Sequence, residues 1–179
     1  MKKKIKKLIP ILIMVLLFNT VGLSSYASEQ VTNSQQKEQQ DNSKNIIDIA
    51  VGDGRFKTLV AALKAAELED SLKGQGPFTV FAPTDDAFAK LPENIMKDLL
   101  KPGNKENLEN ILTYHVTPQR LVSEEILKLN GKEIKMLNGK NAKIEVRNNE
   151  VYIDGAKIVG KDIIGKNGVI HVIETVMMP

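Results

Sequence analysis

The chain has 179 residues, with 25 Lys plus Arg, 22 Asp plus Glu and no cysteine, so an exported form has to fold without disulfide bonds. Five of the lysines lie in the first seven residues, which leaves 20 basic against 22 acidic residues, a formal charge of −2, once residues 1–27 are set aside. A near-neutral remainder of this kind argues against nucleic acid as a partner.

Residues 1–27 have the pattern of an export signal. Lysines dominate the first seven positions, an apolar run extends from Leu8 to Phe18, and Ser25-Tyr26-Ala27 places small residues where a signal peptidase reads them. The apolar run is shorter than the roughly 20 residues of a membrane span, so cleavage after Ala27 is favoured over the alternative, a retained anchor. Without a cysteine for lipid attachment or an apolar C-terminal tail, we expect a secreted, extracellular protein with no membrane span after cleavage.

Residues 28–44 contain five Gln and a single aliphatic residue, Val31. Such a segment buries too little apolar surface to offset the entropy of ordering, so it is predicted to be a disordered polar spacer. The remaining 135 residues, 45–179, are enough for one core, because a domain of about 150 residues buries roughly 68–70% of its unfolded surface. We therefore predict one domain, and a monomer.

The first predicted helices carry short apolar stripes. Ile46, Ile47 and Ala50 indicate a helix that ends in the turn of residues 52–54. A second helix presents apolar residues at i, i+3, i+4 and i+7, the spacing of a core-facing stripe. Those residues are Phe56, Leu59, Val60 and Leu63.

The stretch from Phe78 to Phe88, FTVFAPTDDAF, joins a predicted strand to a capped helix. Apolar and β-branched residues alternate up to Pro83, which has no N–H and is expected to end the ladder. Thr84 then takes the N-cap position, and Asp85 and Asp86 fall in the first helical turn, where negative charge is favourable. We expect this joint to be a main source of stability.

Short helices follow, and then short strands. Asn104 is expected to cap a helix that ends at Tyr114-His115, and Ser123 to start another that reaches Leu129. From residue 130 onward, Asn-Gly and Asp-Gly turns separate short alternating runs, typical of hairpins. The last run, residues 169–176, is mostly apolar and is expected to be a central strand. Helices followed by strands predict an α+β fold.

Three segments together resemble the fasciclin domain, an extracellular adhesion module. They are the Phe78–Phe88 stretch, Asn110–Val116 (NILTYHV) and Asn167–Pro179 (NGVIHVIETVMMP), and the resemblance covers residues 45–179. It implies a β-sheet wedge or sandwich with several short helices packed on it. The sequence departs from the family at Glu67, where a glycine usually follows the paired alanines. The second helix is therefore expected to run on toward Asp70, or to end without a left-handed cap.

The residues that catalysis would need are sparse. There are two histidines, without HxH or HxxxH spacing, and the chain contains no GxSxG, GxGxxG or complete GxxxxGK[ST] motif. The paired carboxylates Asp85-Asp86 and Glu124-Glu125 both begin predicted helices, which accounts for them without acid–base chemistry. We therefore predict no catalytic residue, no metal site and no cofactor.

Tyr114, His115 and His171 each have a structural and a functional interpretation. His171 lies between apolar residues of the last strand, and His115 ends a helix whose last carbonyls it can bond, so ordering of the core is the favoured role. The resemblance implies the second role, because the Tyr-His segment and Asp-Ile motifs of animal members are implicated in integrin adhesion. Tyr114-His115 matches the Tyr-His segment. Asp162-Ile163, which is expected to lie in an exposed loop, resembles the Asp-Ile motif.

The sequence thus favours a non-enzymatic adhesion module that binds a protein or polysaccharide on a cell surface or matrix. A carrier of a small apolar ligand is the alternative, and it needs a pocket lined by residues such as Phe56, Tyr114 and Met136. A hydrolase built around His115 is less favoured. Thr84, Asp85, Asp86, Phe88 and His171 are predicted to be structural, and Tyr114, His115, Asp162 and Ile163 to be candidate contacts.

Overall fold

The computed structural model describes residues 43–99 and 101–179. The predicted signal peptide, residues 1–27, and all but the last two residues of the predicted spacer lie outside the described residues. In the described part, helices dominate up to about residue 115 and strands dominate after residue 130. The chain therefore has the predicted α+β class.

The described residues form seven α-helices and seven strands. The helices are α1 (Ile46–Asp53), α2 (Lys57–Ala65), α3 (Glu69–Lys73), α4 (Asp85–Ala89), α5 (Glu93–Leu99), α6 (Lys105–Tyr114) and α7 (Ser123–Lys128), with a 3-10 turn at Pro102–Asn104. The strands are β1 (Phe78–Pro83), β2 (Val116–Thr117), β3 (Glu133–Lys135), β4 (Asn141–Arg147), β5 (Glu150–Ile153), β6 (Ala156–Gly165) and β7 (Gly168–Ile173).

The strands form one seven-stranded sheet in the order β2-β1-β7-β6-β5-β4-β3. The last strand, β7, is interior as predicted, because it pairs in parallel with β1 and antiparallel with β6. It ends at Ile173, three residues earlier than expected. Pro83 was expected to end the ladder, yet β1 includes it opposite Ile173. A proline can stay in a strand where its missing N–H has no ladder acceptor to meet.

The two ends of the sheet approach each other. The Thr117 hydroxyl donates to the carbonyl of Lys135 over 2.8 Å, and the Leu137 N–H donates to the carbonyl of Val116 over 2.7 Å. These bonds join the edge of β2 to the chain at β3, so the sheet curves around the side chains of one face. The result is a wedge with a filled interior and helices on its other face, as the resemblance implied.

Two core clusters occupy the two faces of the sheet. On β1, Phe81 belongs to the cluster inside the wedge, whereas Val80 and Ala82 belong to the cluster beneath the helices. On β7, Ile173 faces the inside, and its neighbour Val172 faces the helices. This alternation follows from the two-residue period of a strand, which sends successive side chains to opposite faces.

The end of α2 corrects a sequence expectation. Glu67 adopts φ +56°, so the helix does end with a left-handed cap, although the residue is not glycine. The Glu67 N–H donates to Lys64 O over 3.1 Å, and the Leu68 N–H donates to Leu63 O over 3.0 Å, the two bonds of a Schellman motif. A new helix, α3, starts at Glu69, so α2 does not run on toward Asp70.

Candidate functional site

The junction between β1 and α4, where Thr84 lies, caps two helices. The Thr84 hydroxyl accepts the N–H of Ala87 over 3.2 Å, as predicted for an N-cap. Asp85 caps the N-terminus of α2 and not that of its own helix, because its carboxylate accepts the N–H of Thr58 over 2.7 Å. Burial alone would raise the pKa of Asp85, but the bonds from Thr58 and Lys57 reverse this and lower it. The joint therefore ties α2 to β1.

The other two predicted residues of the joint differ in burial. Phe88 is 8% exposed and packs in the cluster beneath the helices. Asp86 is exposed and lies in the first turn of α4.

Tyr114 lies at the end of α6 with its ring inside the wedge. Its side chain is 4% exposed, and its hydroxyl lies 3.0 Å from Asp154 Oδ2 and 3.1 Å from the carbonyl of Asn141. Burial and the neighbouring Asp154 carboxylate raise the pKa of the phenol to about 12. The hydroxyl is thus a neutral donor that fastens α6 to the hairpin strands.

His115 is buried, and both of its ring nitrogens are bonded to backbone groups. Nε2 accepts the N–H of Met177 over 3.0 Å, so Nδ1 carries the proton and donates to Ile111 O over 2.8 Å. Burial lowers the pKa of the imidazole to about 4, although the Ile111 carbonyl acts in the opposite direction. Neither nitrogen is left to act as a base toward a substrate.

His171 is also buried, on the inner face of β7. Its Nε2 lies 2.7 Å from the carbonyl of Leu121, and its ring stacks on Phe81 with centroids 5.7 Å apart. Burial lowers the pKa of His171, while the Leu121 carbonyl and the charge of Asp162 oppose that effect. These contacts hold the ring of His171 within the core.

Asp162 does not lie in a loop, which corrects the sequence expectation. It sits within β6 at an irregularity in the pairing with β7, between Gly160 and Ile163, and it adopts φ +58°. Its Oδ1 accepts the backbone N–H of Ser123, the first residue of α7, over 2.8 Å. Ile163 is half-buried and packs against the cluster beneath the helices. The loop expectation fails because the β6–β7 pairing extends through this segment.

Three side chains far apart in sequence hold the segment between β2 and α7. The Thr79 hydroxyl donates to Gln119 O over 2.6 Å and accepts the Leu121 N–H over 2.9 Å. His171 bonds the Leu121 carbonyl, and Asp162 bonds the Ser123 N–H. Sequence reasoning did not identify Thr79, although a threonine flanked by apolar strand residues signals a buried hydroxyl that needs partners.

One small cavity borders this segment. Ser123 Oγ and His171 Nδ1 are both buried without a hydrogen-bond partner among the described residues, and both residues line it. It offers about 10 Å³ to the centre of a water-sized sphere, which is room for roughly one water and not for a substrate.

The residues proposed for an apolar carrier pocket do not come together. Phe56 is fully buried in the cluster beneath the helices, whereas Tyr114 and Met136 belong to the cluster inside the wedge. A separate apolar cavity next to His115, bordered by Leu59 and Phe88, also offers only about 10 Å³. Neither the separation of these three residues nor the size of this cavity favours the carrier.

A wide groove lies where the turn between β6 and β7 meets the loop after α3. It encloses about 680 Å³, and three cationic side chains line it: Lys73, Arg120 and Lys166. Sequence reasoning missed this groove, because its lining residues are dispersed between Ser43 and Asn167 and share no motif.

Within residues 43–99 and 101–179, no cluster of three or more His, Cys, Asp or Glu side chains could hold a metal ion. In the same residues, no helix has the length and apolar character needed to cross a membrane.

The model of the fasciclin domain family matches residues 54–179. A relative from Synechocystis, "Protein sll1483", is 38% identical over 160 residues, which are 89% of this chain and 87% of that protein. Pig "Transforming growth factor-beta-induced protein ig-h3" is 40% identical over 136 residues, covering 75% of this chain but 19% of that longer protein.

A solved structure has a similar fold. It is a FAS1 domain pair from the insect cell adhesion molecule Fasciclin I, and it aligns with a TM-score of 0.68 at 17% identity. The alignment covers 76% of this chain and 51% of that chain. At this level of identity the similarity concerns the fold.

Proposed function

The chain belongs to the fasciclin domain family, and from this membership we propose that it is a secreted, non-enzymatic adhesion module. It binds a protein or a polysaccharide on a cell surface or in a matrix. The observation that carries the proposal is the family match over residues 54–179, together with the fold shared with domains of an insect cell adhesion molecule. A single weak contact suffices when several copies stand close together, because avidity rises without new contacts.

The chemistry of the two histidines supports a non-enzymatic role. Both nitrogens of His115 are bonded to backbone groups, and the cavity at His171 is too small for a substrate. A general base needs a nitrogen within hydrogen-bond reach of the reacting group. Tyr114 and His115 therefore support adhesion from within the core, and the segment Lys161–Ile163 of β6 is the proposed contact among the sequence candidates.

Capture on cell material tests adhesion directly. The mature protein is incubated with intact cells and with isolated cell walls, next to the variants Asp162→Asn and Asp70→Asn, the second being a control at an exposed position on α3. Retention of the wild type and the control is expected. Equal retention of Asp162→Asn would remove this residue from the contact surface. Turnover of an ester, peptide or glycoside that persists through purification would contradict the non-enzymatic assignment.

Secretion has its own test. The lysine-rich start and the small residues Ser25 and Ala27 support cleavage before Ser28. N-terminal sequencing of protein recovered from culture medium is expected to begin at Ser28. A secreted product that still carries Lys2 would rule out cleavage.

A further inference from the structure

The three cationic side chains that line the groove of about 680 Å³ come from separate parts of the chain. Lys73 comes from the end of α3, Arg120 from the segment between β2 and α7, and Lys166 from the turn between β6 and β7. Lys73 is paired with Glu69 over 2.7 Å. Arg120 and Lys166 are exposed, and their side chains have no ion-pair partner in the described part of the chain. Two uncompensated positive charges therefore face one groove.

The local charge differs from that of the domain. Residues 43–179 contain 19 Lys plus Arg and 19 Asp plus Glu, so the domain as a whole is neutral. None of the described residues that line the groove is Asp or Glu. A concave site lined by one sign of charge concentrates its field and favours ligands of the opposite sign.

The rest of the lining consists of polar side chains, glycine backbone and Pro77. Gln75 contributes a side-chain amide, whereas the amides of Asn45 and Asn167 are bonded within the fold. The lining includes no aromatic side chain. The backbone N–H groups of Gln75 and Gly76 donate to no acceptor among the described residues. Protein interfaces depend on buried aromatic and apolar anchors, which this groove lacks. The Gln75 amide and these N–H donors, next to two cations, instead match the hydroxyls and carboxylates of an acidic sugar.

The groove is held in shape by one side chain. Asn167 Nδ2 donates to the carbonyls of Leu72 and Gly74, each over 2.8 Å, and Asn167 Oδ1 accepts the N–H of Ile46 over 3.0 Å. At Gly76 the backbones lie so close that an added Cβ would stand 1.9 Å from Asn167 O. The loop that lines the groove is therefore fixed before any ligand arrives, which lowers the entropy cost of binding.

From these observations we propose that the groove binds a carboxylate-bearing sugar unit of an acidic polysaccharide, with Arg120 and Lys166 as its anion contacts. The proposal rests on the adhesion function and specifies its ligand class. The groove volume falls within the range of about 300–1,000 Å³ that small-ligand sites occupy, so it accommodates a short section of a polymer.

The test compares binding of the mature chain to immobilised polygalacturonate, dextran and polyglutamate. The variant Arg120→Gln/Lys166→Gln removes the two unpaired cations of the groove. The control Lys132→Gln/Lys140→Gln removes the same charge at exposed positions outside it. We expect the wild type and the control to bind polygalacturonate, the groove variant to bind at least tenfold more weakly, and added salt to weaken binding.

Several results would overturn the proposal. Among them are equal loss in the two double variants, binding to dextran as strong as to polygalacturonate, and absence of polygalacturonate binding by the wild type. Stronger binding to polyglutamate would assign the groove to an acidic protein and also overturn it. Retention of the groove variant on cell walls at the wild-type level would contradict the groove proposal but not the adhesion function. This outcome therefore distinguishes failure of the one from failure of the other.

Discussion

His115 Nε2 accepts the backbone N–H of Met177 over 3.0 Å, across 62 positions of the sequence. The bond joins the end of α6 to the C-terminal segment, and Met177 packs with the cluster inside the wedge. It requires an unprotonated Nε2, so the imidazole has to be neutral for the segment to stay in place. Folding is thereby linked to pH.

Stability should fall in mild acid because of His115. Its pKa is about 4 in the folded protein against 6.5 for the ordinary value, so between these values the unfolded chain binds a proton that the folded chain does not. The free energy of unfolding is therefore at its full value above pH 6.5 and decreases by about 3 kcal/mol as pH falls toward 4. His171, whose pKa is also lowered, acts in the same direction. Urea unfolding at a series of pH values measures the slope.

His115→Gln is the control for this pH dependence. Glutamine does not titrate, so the variant should be less stable at pH 7 but should lose less stability between pH 6.5 and 4. The carboxyl groups of Asp53 and Asp85, whose pKa is lowered from an ordinary value of 3.8, titrate below that window. An unchanged slope in His115→Gln would assign the effect to other groups.

Replacement of His171 separates its hydrogen bond from its volume. His171→Phe keeps an aromatic ring against Phe81 but leaves the Leu121 carbonyl without its partner, at a cost of about 1–3 kcal/mol. His171→Ala also opens a cavity and should cost more. Thermal and chemical unfolding measure both. Equal stability of His171→Phe and the wild type would show that the bond contributes nothing.

The local parts of the fold could be read from the sequence. Thr84 caps α4 as its position predicted, and the alternating residues of β1 divide between the two cores. These features depend on neighbours within a few residues, so periodicity and cap chemistry suffice to find them. Asn104 is an exception, because its side chain donates to Asp98 O and does not cap α6.

The long-range features could not be read in this way. Asp85 caps α2 at Thr58, and Asp162 bonds Ser123 across 39 positions, and neither pairing has a local pattern. Asp162 next to Gly160 is typical of a turn, but the pairing of β6 with β7 decides its conformation. The Lys73–Arg120–Lys166 groove exists only once three elements have come together.

Glu67 offers a site for stabilisation. A non-glycine residue in the left-handed region costs about 1–2 kcal/mol, and glycine avoids that cost while losing more backbone entropy on folding. The ion pair of Glu67 with Lys105 is exposed and contributes little. Glu67→Gly should therefore raise the free energy of unfolding by about 0.5–1 kcal/mol. Glu67→Ala, which keeps the strain, should not stabilise, and a gain in both variants would implicate the charge instead.

Asp162 tests whether this position stabilises the fold, binds a partner, or does both. Asp162→Ala removes the acceptor of the Ser123 N–H and places alanine at φ +58°, so a loss of about 2 kcal/mol is expected. Asp162→Asn keeps an acceptor oxygen and a residue type that tolerates this conformation, so its loss should stay under about 1 kcal/mol. Urea unfolding ranks the two variants, and equal losses would mean that neither the bond nor the conformation matters.

The same pair of variants then separates folding from binding. At a temperature where Asp162→Asn is fully folded, reduced capture on cell material can only come from the contact surface, because the backbone and the Ser123 bond are preserved. Capture by Asp162→Ala that falls only in proportion to its unfolded fraction indicates a structural residue. Asp162 belongs to the adhesion surface if Asp162→Asn loses capture at full stability, and to the support of α7 if it does not.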